Sequence, residues 1–324
     1  MTGPTAGQGA GARARWRELD GIVLLDKPAG LGSTPALQRV RRLLRAAKAG
    51  HAGTLDPLAT GMLPLCFGQA TKACGQLLGA GKAYRARLVL GSATDTGDAD
   101  GQVVGTGAVP GPDRARLLGA LASVTGCRDQ LPPMYSALKR GGRPLYEFAR
   151  RGERVERAPR RITIHRIEPL SWTGDAIEFE VECSKGTYVR VLGEEIAAAL
   201  GTVGHLAALR RLWVEPFTTQ PMVRLEDIEA WAVQAPEEAA TPAWLLPVDA
   251  AFASLPRLEL DSHDGLHLRQ GRTLPRAIPS GAALARVYDP VGRFLGLVEP
   301  APAGGLRVAR LFVPGAAGHD TDSA

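Results

Sequence analysis

The stretch that decides how this chain is read is GHAGTLDPLATG, residues 50–61. Glycines bound it, which marks a loop, and it is unusually apolar for a loop that carries a carboxylate. Pro57 biases Asp56 away from the α region toward an extended backbone, and Gly53 and Gly61 leave room for another segment or a ligand to come close. Taken alone, an Asp-Pro pair fits an Asx turn or a helix cap as readily as a reactive carboxylate. Upstream, Pro35 opens a predicted helix over 35–48. Leu37, Val40, Leu43, Leu44 and Ala47 recur there at helical spacing, while Arg39, Arg41, Arg42, Arg45 and Lys48 occupy the rest with no acid among them. Downstream, the next periodic run is residues 84–90 (YRARLVL), which alternates as a half-buried strand does.

Further outward, Ile22 to Leu25 reads as a strand halted by the turn Asp26-Lys27-Pro28-Ala29-Gly30. Residues 95–101 read as a turn, 112–124 as a helix, and 162–169 and 176–183 as alternating strands. In the last of these Ile177, Phe179, Val181 and Cys183 oppose Glu178, Glu180 and Glu182. A helix over 188–200 carries Leu192, Ile196 and Leu200 and is stopped by Gly201. Strands far apart in sequence, joined by unequal helices, point to an α+β sheet rather than regular βαβ winding. The Pro- and Ala-rich segment 234–247 is read as a boundary. Beyond it, short strands at 256–260, 284–288, 293–298 and 306–313 with Gly/Pro turns suggest a small β-barrel. Residues 1–20 and 314–324 read as a flexible lead-in and tail.

The 324 residues are 45% hydrophobic and 22% charged, which excludes a wholly disordered chain and suits about two domains. No apolar run approaches the ~20 residues of a membrane span, and the first 20 residues lack a secretory apolar core. Cys66, Cys74, Cys127 and Cys183 form no CxxC pair, which argues against structural zinc and a disulfide scaffold and favours a reducing cytoplasm. The net charge of +6 is unevenly placed. Window 35–48 carries +5 and window 139–166 carries +7, so the remainder is −6. Both basic windows are Arg-dominated, and Tyr135, Tyr146 and Phe148 lie in or beside the second, the composition that grips RNA phosphates and stacks bases. The C-terminal part is balanced, with eight Arg against eight acids from 246 onward. Two other strings fail as motifs. Gly79-Ala80-Gly81-Lys82 lacks the upstream Gly and the following Ser/Thr of a P-loop, and the Thr96 to Gly101 turn lacks the terminal Glu of a calcium loop.

DKPAG (26–30), GHAGTLDPLATG (50–61), KAYRARLVLG (82–91), PPMYSALKRGGRPLYEFARRGE (132–153) and CSKGTYVRVLGEEI (183–196) follow one another in an order that resembles the bacterial tRNA pseudouridine synthase B family. The resemblance covers about 21–225. It implies a pseudouridine synthase fold with a mixed, largely antiparallel sheet over 21–245, a PUA-like barrel at 248–313, and isomerisation of uridine 55 in the T-loop of tRNA without cofactor or metal. Asp56 matches the family's catalytic carboxylate, Arg190 its arginine partner, and Tyr84 a catalytic tyrosine that also stacks on the base. Tyr188 and Leu209 match base-lining positions, and His51 a wedge that fills the space left by flipped bases. Lys27 and Lys185 are expected at the substrate as phosphate or structural contacts, and residues 132–158 are expected to clamp the T-arm as a thumb. A monomer with no obligatory protein partner and no membrane contact is implied. Two alternatives share these features: a guide-RNA-dependent, dyskerin-type synthase and a tRNA-folding chaperone without chemistry.

Overall fold

The computed structural model describes residues 16–234 and 241–312. A ten-stranded mixed sheet forms its centre. The main path runs Val223–Arg224, Gly21–Lys27, Thr60–Phe67, Gly204–Val214, Lys82–Leu90, Ala176–Cys183, Arg160–Thr173 and Gly126–Gln130. Leu245–Leu246 adds to Gly21–Lys27, and Ala49–His51 to Thr60–Phe67. Most neighbours are antiparallel. The parallel joint between Thr60–Phe67 and Gly204–Val214 holds at two register pairs, Arg210 with Thr60 and Arg211 with Gly61. The sheet is therefore two halves meeting at a narrow seam, and the loop carrying Asp56 leads directly into it.

The alternation over 176–183 turns Ile177, Phe179, Val181 and Cys183 inward, as the sequence predicts. Helices Arg114–Val124 and Val189–Ala199 cover that face with Leu117, Leu121, Val124, Leu192 and Ile196. Asp113 caps the first of these by accepting from the Arg116 N–H. The opposite face stays polar, and Arg85 reaches across to Glu180 at 2.7 Å. No described helix is long and apolar enough to cross a membrane.

The predicted 35–48 helix is shorter, Ser33–Leu43. Arg45 enters the left-handed region (φ 51°), and the following backbone pairs with the chain's beginning: Arg17 N–H donates to Arg45 O, and Ala47 N–H to Arg17 O. Residues 16–20, read as lead-in, thus have structure, with Leu19 buried and Asp20 accepting from the Gln69 N–H. The rest of the lead-in, and the tail beyond 312, lie outside the described residues. Strand Thr60–Phe67 was missed because both its faces are buried, which removes the alternation, and because Pro64 interrupts it. Strand Gly204–Val214 was missed because bulges at Leu206/Ala208 and Arg211/Trp213 break its period. Within the 132–158 segment stand a hairpin of Lys139–Arg140 with Arg143–Pro144 and a one-turn helix, Leu145–Ala149.

All four C-terminal strands form, as Arg257–Glu259, Ala285–Tyr288, Phe294–Pro300 and Leu306–Leu311 in one sheet. Helix Ser262–Arg269, unforeseen, lies between the first two; it buries only Gly265 and Leu268, too few to print a period. This unit has its own small core around Leu260, Leu268, Val287 and Leu295. A second core is shared: Phe252, Leu297 and Phe312 pack with Ile22, Leu24, Met62, Val214 and Phe217 of the main sheet. Phe252 meets Phe312 edge-on at 5.4 Å. Phe252→Ala should therefore cost roughly 3–5 kcal/mol in stability, and chemical denaturation followed by both near- and far-UV dichroism would measure it.

Candidate active site

Asp56 projects from the 53–61 loop with its carboxylate 36% exposed, and its Oδ2 lies 3.0 Å from Arg190 Nε. Arg190 stands in the first turn of helix Val189–Ala199, and its side chain is only 5% exposed. Its two terminal nitrogens donate to Thr96 O and Tyr135 O, each at 2.5 Å. The same Nε lies 3.6 Å from Asp98 Oδ2, in the turn between strands Ser92–Thr94 and Val103–Thr106. One guanidinium therefore joins the Asp56 loop, the 95–101 turn and the base of the 132–158 segment.

The Asp56 loop is held at several points. Ser33 Oγ donates to Leu55 O and accepts from Leu55 N–H, at 3.0 and 2.7 Å. Lys27, fully buried, donates to Pro28 O, Leu31 O and Pro57 O at 2.9, 2.6 and 3.3 Å. Its ammonium is committed to carbonyls, so Lys27 braces the turn that cradles Asp56 and presents no free charge to a phosphate. Burial pushes its pKa down to about 8, against the pull of Asp56.

Burial also raises the Asp56 pKa; Arg190 opposes this, Asp98 adds to it, and Lys27 opposes it. Tyr84 is 7% exposed and sits opposite Arg211 across the neighbouring strand, and burial raises its phenol, which keeps it protonated. Leu209 pairs with Ala86 on the same two strands. Tyr188, half-buried, precedes the Arg190 helix with its N–H donating to Gln130 Oε1 at 2.8 Å and its carbonyl accepting from Gln130 Nε2 at 3.2 Å. His51 ends a short strand; burial, then the Arg211 charge, lower its pKa, so it is a neutral ring suited to stacking. A groove of about 650 Å³ runs past the seam, lined by Gly30, Leu58, Thr60, Arg85, Leu209 and Arg210 among others. Of the expected site residues, Leu209 alone lines this groove; Lys185 is exposed and borders a separate hollow with His165, Glu182 and Trp213.

Residues 41–189 match the model of the N-terminal domain of TruB family pseudouridylate synthases. Residues 190–253 match the tRNA pseudouridylate synthase B C-terminal domain, and 256–312 the C-terminal model of pseudouridine synthase II TruB. A tRNA pseudouridine synthase B of Aromatoleum aromaticum is 51% identical over 92% of this chain and 94% of its own. The chain belongs to the TruB family. The enzyme of the same name from Xanthomonas euvesicatoria is 48% identical over 93% of this chain and 96% of its own. Among solved structures, a Cbf5-Nop10-Gar1 complex contains a chain of the same fold, with TM-score 0.69 and 24% identity over 91% of this chain and 85% of that one. The protein is thus an RNA pseudouridine synthase of the TruB family, and its sheet and C-terminal unit carry the pseudouridine synthase fold.

Three neighbours of this TruB site escaped the sequence reading. Asp98 looked like a hairpin-turn acid, although it is only 4% exposed, with Oδ1 accepting from Thr96 Oγ1 at 2.6 Å. Arg211 and Lys82 sat in unremarkable apolar surroundings, yet both are buried. An acid-rich turn with two glycines, and a double Arg inside an apolar run, were the only available signals. Because burial outweighs Arg190 at Asp56, holding that carboxylate charged costs the fold stability above its ordinary titration range near 3.8. Asp56→Asn should therefore have a melting temperature at pH 7.5 no lower than the parent's, as calorimetry would record.

Proposed function

We propose that this enzyme converts uridine to pseudouridine at position 55 in the T-loop of tRNA, with Asp56 as the catalytic carboxylate and no metal or cofactor. The Asp56–Arg190 ion pair at 3.0 Å, a carboxylate held against a buried guanidinium on the loop that leads into the seam of the sheet, carries this reading. The C1′–N1 bond breaks, the uracil turns within the pocket, C5 bonds to C1′, the proton on C5 is released to solvent and N1 takes one up. Asp56 engages the ribose as nucleophile or as base, and a carboxylate whose pKa burial has raised is a better base than an exposed one. Arg190 keeps that carboxylate ionised and oriented. Tyr84 stacks on the base, Tyr188 and Leu209 line its pocket, and neutral His51 fills the gap that the flipped bases leave.

The 132–158 segment clamps the T-arm as a thumb, and its base is joined to the catalytic arginine through Tyr135 O. The enzyme acts as a monomer in the cytoplasm, without a guide RNA or obligatory protein partner. Its 48–51% identity to proteins named tRNA pseudouridine synthase B supports this over a guide-dependent role.

Purified protein alone, mixed with a T-arm transcript tritiated at uracil C5, should release tritium, and Asp56→Asn should abolish release. Arg190→Ala should lower turnover by roughly 100-fold or more while changing RNA affinity little; equal losses in both would count against its role. Arg→Glu changes within 35–48 or 139–166 should weaken tRNA binding and flatten its salt dependence, whereas the same changes beyond 248 should leave both nearly unchanged.

A further inference from the structure

The loop bearing Asp56 has a glycine near each end in the left-handed region, Gly53 at φ 91° and Gly61 at φ 96°. Such a loop has little intrinsic stiffness, yet a reacting group must be held to a fraction of an ångström. Arg211 lies behind it, 1% exposed. Its Nε donates to Met62 O at 2.6 Å, just past the loop, and its Nη2 to Gly53 O at 3.1 Å, at the loop's start. The guanidinium is planar and rigid, so it fixes the separation of the two carbonyls it bridges. Both glycines register how close Arg211 comes, Gly53 to its guanidinium and Gly61 to its backbone. A Cβ on Gly53 would meet Arg211 Nη1 at 3.3 Å, and a Cβ on Gly61 would overlap the Arg211 carbonyl oxygen.

Among the described residues, no carboxylate forms an ion pair with Arg211. A buried guanidinium that meets two carbonyls and the Tyr84 hydroxyl, but no carboxylate, is a costly way to fill a strand position that an apolar side chain could occupy. Its charge is felt nearby: Arg211 is among the causes that lower Lys27, Lys82 and His51. The preceding residue acts on the other side of the strand, where Arg210 forms a two-pronged pair with Asp26 at 2.9 and 2.8 Å. Consecutive arginines thus tie opposite faces of the seam, one to the strand Gly21–Lys27 and one to the Asp56 loop.

We infer that Arg211 is a positioning residue for the isomerisation: by bridging the Gly53 and Met62 carbonyls it sets the placement of Asp56 relative to Arg190, touching neither substrate nor Asp56. The inference rests on the proposed reaction for its readout. The test uses full-length Arg211→Lys and Gly53→Ala proteins, in single turnover with enzyme in excess over C5-tritiated T-arm RNA, alongside filter binding and thermal melting. Lysine keeps the charge but cannot bridge two carbonyls in a fixed fork; alanine at 53 keeps the arginine but crowds its guanidinium and strains the loop backbone at φ 91°.

Arg211→Lys should lower the single-turnover rate constant roughly 100-fold, with RNA affinity within about 3-fold of the parent's and full reaction amplitude. Gly53→Ala should lower the rate constant about 10-fold in the same pattern, and guanidinium added to Arg211→Ala should restore part of the rate. A merely structural role would instead reduce amplitude and melting temperature while the folded fraction reacts at the parent rate, and that result overturns the proposal. If Arg211→Lys does not fold, Gly53→Ala decides: a parental rate constant sinks the inference. Absence of tritium release from the parent would instead refute the proposed reaction, and the inference would fall with it.

Discussion

The candidate site depends on one ion pair, Asp56 with Arg190 at 3.0 Å. Arg190 does not stand free to make it. Its other nitrogens are spent on Thr96 O and Tyr135 O, and Asp98 competes for the same Nε from 3.6 Å. The guanidinium is thereby immobile, and Asp56 meets a fixed partner instead of a swinging one. Burial still wins at the carboxylate and raises its pKa, because the pull of one arginine is divided between two acids. The site is held in a state that the fold would relax if it could, the usual relation between a reactive group and its scaffold.

The surroundings are cation-rich. Lys27, Lys82, Arg190 and Arg211 are all buried, and their protons go mainly to carbonyl oxygens, not to carboxylates. Lys27 and Lys82 are both driven down to about 8, burial being the largest cause. The folded protein gives up these protons before the unfolded chain does, so this cost is relieved as pH rises from about 8 toward 10.5. What the cations provide in return is geometry. Pro57, Gly53 and Met62 each have a carbonyl clamped by one of them, so the Asp56 loop is fixed at both ends and in the middle.

Much of this was legible in the residues, unevenly and for physical reasons. Strands with one solvated face, such as 176–183, announced themselves by alternation. Thr60–Phe67 did not, because a strand buried on both faces prints only an apolar run. The basic helix was placed correctly but overextended, since Arg45 gives no sequence sign of turning left-handed; the halt comes from pairing with residues 16–19, a tertiary effect. Asp56 and Arg190 were found through motifs, and their separation of 134 positions could be bridged only by resemblance. Lys27 was read as a phosphate or a structural contact, and its three carbonyl partners favour the second; nothing in the sequence of a turn says whether the fold will bury its lysine. Asp98 and Arg211 were missed because nothing local distinguishes a buried acid or arginine from an exposed one.

The central claim is that Asp56 titrates under opposed pulls from Arg190 and Asp98, and the acid limb of the single-turnover rate tests it most directly. In the parent, that limb should lie above the ordinary aspartate value of 3.8. Asp98→Asn removes the like charge and leaves Arg190 to Asp56 alone, so the limb should move to lower pH. A limb that stays in place, or moves upward, in Asp98→Asn would contradict the account.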